Sequence, residues 1–202
     1  MLDSAKELKR KNLSFQLMDI NLFRIERKFD LIFSNATLHW VKDHNQLLMN
    51  CKKHLNENGR ICFNFAGDGN CGNFFRVVKD VMAEEEFKPF FTDFKWPWFM
   101  PSAKEYSSLL SSVDIGFTDI DVREENRDRY FAAKDEMIAW IDQPSIVPFL
   151  THLEKNAPKQ SIPSLQKLFR DLVVSKMIEL CQQTDGRCFE TFRRINVFAR
   201  KN

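Results

Sequence analysis

The chain has 202 residues, 44% of them hydrophobic and 29% charged, which suits one globular domain with a substantial core. The net charge of +2 comes from Lys, Arg, Asp and Glu mixed along the whole length, giving no electrostatic case for nucleic acid or an anionic membrane. The five cysteines form no C-x-x-C pair and have no histidine at zinc-ligand spacing, so they read as reduced thiols of a cytoplasmic protein without a metal; no window approaches the ~18 apolar residues of a membrane span.

Residues 1–11 read as a helix, with Leu2, Ala5 and Leu8 recurring at helical spacing. Residues 13–18 alternate as a strand that ends at Asp19-Ile20-Asn21, where an acid is ordinarily a turn former. Residues 29–33, Phe-Asp-Leu-Ile-Phe, form a short apolar run of the kind buried on both faces of a parallel sheet. Ser34 and Asn35 end that run. Ligands of open α/β sheets sit outside the carboxyl ends of strands, so the turn over residues 34–38 is the first candidate binding position, and the Asn35 amide offers both donors and an acceptor there.

A helix is expected over residues 43–55 on the stripe Leu47, Leu48, Cys51 and Leu55, closed by Asn58-Gly59, and a strand over residues 60–65. The stretch Ala66-Gly67-Asp68-Gly69-Asn70-Cys71-Gly72 lacks the spacing of a dinucleotide or P-loop fingerprint and reads as a flexible hinge. A helix over residues 74–87 leads to an aromatic loop, residues 90–101, holding Trp96 and Trp98. Ser102 with Glu105 three residues on marks a helix start. An outer strand over 117–123, helices over 133–141, 147–153 and 164–180, and a closing strand over 188–200 complete the chain.

The run Phe29-Asp30-Leu31-Ile32-Phe33-Ser34-Asn35-Ala36-Thr37-Leu38-His39-Trp40, with Trp96-Pro97-Trp98, Trp140-Ile141 and the closing Arg194-Ile195-Asn196-Val197-Phe198, resembles the class I S-adenosylmethionine-dependent methyltransferases of the trans-aconitate methyltransferase group. The resemblance implies an α/β fold, a Rossmann-like sheet with usual strand order 3-2-1-4-5-7-6 and an inserted helical cap. It also implies that this chain lacks the first two strands, with their glycine-rich loop and ribose-binding acid. The expected division is a partial cofactor-binding core over 1–66, a cap and aromatic loop over 67–113, an outer strand region over 114–131, a helical cap over 132–186 and a final core strand over 187–202.

By the same resemblance, Asp19 and Ile20 hold the adenine of S-adenosylmethionine, Ser34, Asn35 and Ala36 form the cofactor turn, and Trp40 packs beside it. Trp96, Trp98 and Trp140 would wall one substrate cavity, and Arg194, with Arg193 and Lys95 as further candidates, would hold the acceptor. His39 reads as structural. The implied activity is O-methylation of a small carboxylic acid, which needs no catalytic base because a carboxylate is already ionised at neutral pH. Two alternatives stand beside it: a malonyl-thioester carboxyl methyltransferase of biotin synthesis, and a non-catalytic remnant that needs a partner fragment to supply the missing strands. The missing loop implies weak cofactor binding and no turnover by the 202-residue chain alone.

Overall fold

A computed structural model describes residues 5, 7–8, 10–112 and 114–202. A four-stranded sheet in the order β1-β2-β6-β3 organises it, built from β1 (Phe29–Asn35), β2 (Leu55–Ala66), β3 (Phe117–Asn126) and β6 (Arg193–Lys201). β1 runs parallel to β2, and β6 lies antiparallel between β2 and β3. This is the 4-5-7-6 portion of the order expected. A separate two-stranded ribbon pairs β4 (Arg129–Phe131) with β5 (Cys188–Glu190), so the single closing strand read from the sequence is divided in two.

One face of the sheet is covered. Ile61, Phe63, Phe65, Ile195, Val197 and Ala199 alternate inward and pack under α1 (His44–His54) and α3 (Ala103–Ser111), which supply Leu47, Leu48, Cys51, Tyr106 and Leu110. Both helices begin where local chemistry tells them to. Asp43 accepts from the Gln46 backbone N–H at 2.9 Å, and Ser102 and Glu105 form a full capping box, satisfying donors that the first helical turn leaves unpaired.

The other face is open, which corrects the expectation that β1 is buried on both sides. Leu31 and Phe33 are 55% and 65% exposed, and Phe198 is 50% exposed. Their registers, Phe33 opposite Cys62 and Cys62 opposite Phe198, align them as an apolar stripe across three strands. Residues 14–19 carry no regular structure, with Leu17 82% exposed, so the strand expected over 13–18 does not form: among the described residues β1 is an edge, and an extended segment without a ladder partner has no hydrogen bonds to hold it. The helix expected over 1–11 lies largely outside the described residues.

A second core sits beside the sheet, where α2 (Gly72–Met82), α4 (Lys134–Trp140), α5 (Val147–Asn156) and α6 (Ile162–Cys181) close around Phe74, Phe149 and Phe169. The segment over residues 66–72 joins the two cores and is tied down, not a free hinge. Gly67 N donates to the Arg193 carbonyl at 3.0 Å, Cys71 N to the Thr191 carbonyl at 2.8 Å, and Arg193 N to the Asn70 side chain at 3.1 Å. Behind it the fully buried Glu190 carboxylate accepts from the Asn73 and Phe74 backbone N–H groups, capping α2 from the ribbon.

The one-sided sheet yields a contrast measurable in urea. Phe33→Ser should change stability by less than about 1 kcal/mol because the ring already faces solvent. Phe65→Ala on the covered face should cost about 3 to 5 kcal/mol, and equal losses would show that the open face is covered in solution.

Candidate functional site

The carboxyl ends of β1 and β2 and the start of β6 meet below the cap, and two adjoining cavities open there. The inner one, about 280 Å³, is walled by Ala36, His39, Trp98, Trp140 and Arg194; the other, about 750 Å³, follows the open sheet face past Phe33, Asn35 and Asn64. Ala36, Trp140, Phe192 and Arg194 line both.

The floor is a ladder of polar side chains produced by strand alternation. Arg194 donates to Asn64 Oδ1 at 2.7 Å, Asn64 Nδ2 to Asn196 Oδ1 at 2.7 Å, and Asn196 Nδ2 to Glu125 Oε2 at 3.0 Å. The guanidinium is thereby oriented by a neutral amide, and among the described residues it makes no ion pair. Arg193, one position away, is consumed by Asp128 and Asn126. Lys95 stands elsewhere, on an outer cavity.

The turn after β1 is strained in a way that serves the cavity. Ala36 sits at φ 55°, a left-handed conformation a residue with a Cβ rarely adopts, and its N–H is held by the Asn64 carbonyl at 2.7 Å. The short 3₁₀ turn Leu38–Trp40 follows and puts His39 and Trp40 on the cavity rim. His39 Nδ1 is buried with no hydrogen-bond partner among the described residues. Burial, with the neighbouring Arg194 charge, pushes its pKa down to about 4, so the ring is neutral at pH 7. His39, read from sequence as structural, is therefore a cavity-wall residue with an unsatisfied nitrogen.

Two of the three cap tryptophans border the same cavity. Trp98 packs on Trp40 with centroids 5.2 Å apart and Trp140 on Phe192 at 5.6 Å, both walling the inner cavity. Trp96 does not: it lies beneath Lys79 on a neighbouring cavity with Asp68 and Arg76, so the expectation of one three-tryptophan wall is corrected. The two indoles nonetheless stay in contact, with ring centroids 6.0 Å apart, and Trp98 borders that neighbouring cavity as well as the inner one. Asp19 and Ile20 also lie away from these cavities. The Asp19 carboxylate is engaged by Asn21 N at 2.8 Å in a local turn, and Ile20 packs at the edge of the sheet core. Ser34 shares the inward side with Ile32 and borders neither cavity.

Sequence reasoning missed Asn64, Asn196, Glu125 and Lys42. The first three sit at every-other positions of their strands beside Arg194, a period-2 signal that becomes informative once the strand register is known. Lys42 fixes the aromatic loop by donating to the Trp96 and Trp98 carbonyls.

Residues 1–63 match a family model described as a methyltransferase domain. Among curated proteins, the chain is 41% identical over 101 residues to the malonyl-[acyl-carrier protein] O-methyltransferase of Calditerrivibrio nitroreducens, covering 48% of this chain and 41% of that protein. It is 27% identical over 173 residues to the trans-aconitate 2-methyltransferase of Mycolicibacterium gilvum, covering 85% and 64%. The chain thus spans roughly two fifths to two thirds of these relatives. Of solved structures, it resembles the YcgJ protein of Bacillus subtilis (TM-score 0.57, 12% identity, 99% of this chain and 76% of that one) and a candidate methyltransferase of Bacillus halodurans (TM-score 0.55, 9% identity, 98% and 76%). The fold is the Rossmann-like fold of class I methyltransferases. No helix among the described residues is long and apolar enough to cross a membrane.

The buried histidines give the site a pH signature. Burial pushes His44 as well as His39 from 6.5 to about 4. Both are neutral when folded and take up protons near pH 6.5 when unfolded. Their stabilising contribution is thus whole above about pH 6.5 and declines as pH falls toward 4. His44 bridges the Tyr106 hydroxyl at 2.9 Å and the Leu38 carbonyl at 3.0 Å. His44→Phe should cost about 1 to 3 kcal/mol at pH 7.5. In urea melts between pH 7.5 and 4.5 it should show a shallower decline than the parent; an identical slope would remove His44 as the cause.

Proposed function

We propose that this protein is an S-adenosylmethionine-dependent methyltransferase acting on a carboxylic acid, and that the inner cavity is where the acceptor carboxylate is held. The observation that carries this reading is Arg194: a half-buried guanidinium that makes no ion pair among the described residues, since Glu125 opposite it in the sheet pairs with Arg127, presented at a strand end on the cavity that Trp98 and Trp140 also line. The similarity to both trans-aconitate and malonyl-[acyl-carrier protein] methyltransferases supports the reaction class. It leaves the acceptor to be chosen by the cavity.

The turn side fits the cofactor. Phe33 offers a flat apolar wall, the Asn35 amide a donor and acceptor pair, and the Ala36 turn and Trp40 a boundary toward the inner cavity. Bound there, S-adenosylmethionine would supply an electrophilic methyl group on a positively charged sulfur, a leaving group that keeps the electron pair of its C–S bond, and the acceptor would supply the carboxylate oxygen. The work of the chain is to bind, orient and dry that encounter. Arg194 draws the carboxylate in and fixes its plane, and Asn64 keeps the guanidinium from swinging away. Trp98 and Trp140 exclude water, which leaves the carboxylate oxygen less solvated and its alignment more restricted. His39, neutral and unpartnered at Nδ1, can make one hydrogen bond to the bound acid without adding charge. No proton has to move, because the acceptor is already ionised.

With the protein at stoichiometric concentration and methyl-labelled S-adenosylmethionine in large excess, which offsets the weak cofactor binding and lack of repeated turnover expected without the glycine-rich loop, a panel of carboxylic acids should yield a labelled methyl ester in a single round. Arg194→Ala should reduce the yield at least tenfold, with Arg194→Lys intermediate because a point charge lacks the planar fork. No ester from any acid, or an Arg194→Ala protein as productive as its parent, overturns the reading.

A further inference from the structure

A third cavity, about 760 Å³, lies outside the first two, between the aromatic loop and α5. It meets the inner cavity at Trp40, Gln143 and Pro144, which line both. The junction has a backbone cause. Pro144 has no N–H to give the helix and drives the preceding residue out of helical geometry, and Gln143 accordingly sits at φ −84°, ψ −160°, splitting α4 from α5 where the cavities join.

The walls of this outer cavity are apolar and uncovered: Trp40 is 42% and Val147 49% exposed, beside Phe94, Pro97 and Pro148. Its charged rim is uneven. Asp142 is engaged by Arg170 through two hydrogen bonds of 2.9 and 2.7 Å, and Asp93 lies 3.5 Å from His152. Lys95 and Lys155 make no ion pair among the described residues, so against the single Asp93 carboxylate the rim keeps an excess of positive charge beyond an apolar channel.

We propose that the acceptor is a chain-like acid. Its reacting carboxylate sits at Arg194, its methylene body runs past Trp40 and Pro144 into the outer cavity, and a second anionic group ends at Lys95 and Lys155. This rests on the methyl-transfer reading and narrows it. A compact polycarboxylate fills the inner cavity alone and leaves the apolar channel wet, whereas each methylene placed in that channel raises affinity about three- to fourfold.

The test is calorimetric titration of the protein with unbranched α,ω-dicarboxylic acids from succinate upward, together with monocarboxylic acids of matching length. Affinity should climb with chain length until the channel is filled, and diacids should bind about tenfold more tightly than monoacids of equal length. Val147→Asp and Thr151→Trp, one charging the wall and one filling it, should each abolish the climb, while Lys95→Ala with Lys155→Ala should erase the diacid advantage. Circular dichroism identifies any variant that has failed to fold, and the two wall variants fail independently. Affinity that is flat with length, or a climb that both folded wall variants retain, overturns the proposal. Methyl-ester assays on the same acids separate the two readings. Esters from short acids with a flat binding series sink the chain-like acceptor alone, whereas a steep binding series with no ester from any acid sinks the methyl-transfer reading beneath it.

Discussion

The register of β2 against β6 sets Asn64 opposite Asn196 and Ala66 opposite Arg194. Because side chains alternate along a strand, a slip of β6 by one residue would turn Arg194 and Asn196 into the hydrocarbon core and send Ile195 and Val197 to solvent. The buried face specifies the register strongly, through Phe63, Phe65, Ile195 and Val197. The polar ladder on the other face is therefore held in place by apolar packing that never touches it. Site geometry and fold stability come from opposite faces of the same strands.

That separation explains why the open face holds chemistry at one end and an apolar stripe at the other. Toward the strand ends, Arg194, Asn64, Asn196 and Glu125 satisfy one another in a chain of hydrogen bonds, which is what polar groups near a cap require. Toward the opposite end, Leu31, Phe33 and Phe198 stay exposed, with no element among the described residues packed over them. An edge strand with exposed apolar side chains and unpaired backbone groups is a template for association.

What could be read from the sequence follows from which interactions are local. The α1 and α3 helices were legible because their caps, Asp43 and Ser102 with Glu105, lie within three residues of the groups they satisfy, and β1 because it is short, apolar and ended by polar residues. The sheet order followed from the family resemblance. Residues 13–18 were misread because alternation describes a strand's faces, not the partner that must pair with it. The 66–72 segment was misread because its glycines were visible and the Arg193 and Thr191 groups binding it, some 120 positions later, were not. Arg194, Trp98 and Trp140 are singled out by their places at a strand end, in the aromatic loop and on a cap helix, and the structure brings the three to one cavity. Asn64 and Asn196 needed the register.

The aromatic loop, which in the structure runs over 91–102 between the Lys88–Phe90 turn and α3, poses the remaining physical question, since its backbone must find partners without helix or sheet. It finds them on the turn after β1. Phe99 N donates to the His39 carbonyl at 2.8 Å, Lys42 reaches the Trp96 and Trp98 carbonyls, and Trp40 packs on Trp98. The next strand end along is reached by Asp68 N, which donates to the Pro101 carbonyl at 3.1 Å. Both ends of the tryptophan wall are thus fastened to the strand ends that carry the polar floor, so the wall and floor of the inner cavity form one connected unit. A ligand entering it meets surfaces already placed by hydrogen bonds within the chain. Little ordering is left to oppose binding, and discrimination then falls on shape and charge at Arg194, His39 and the passage beside Pro144.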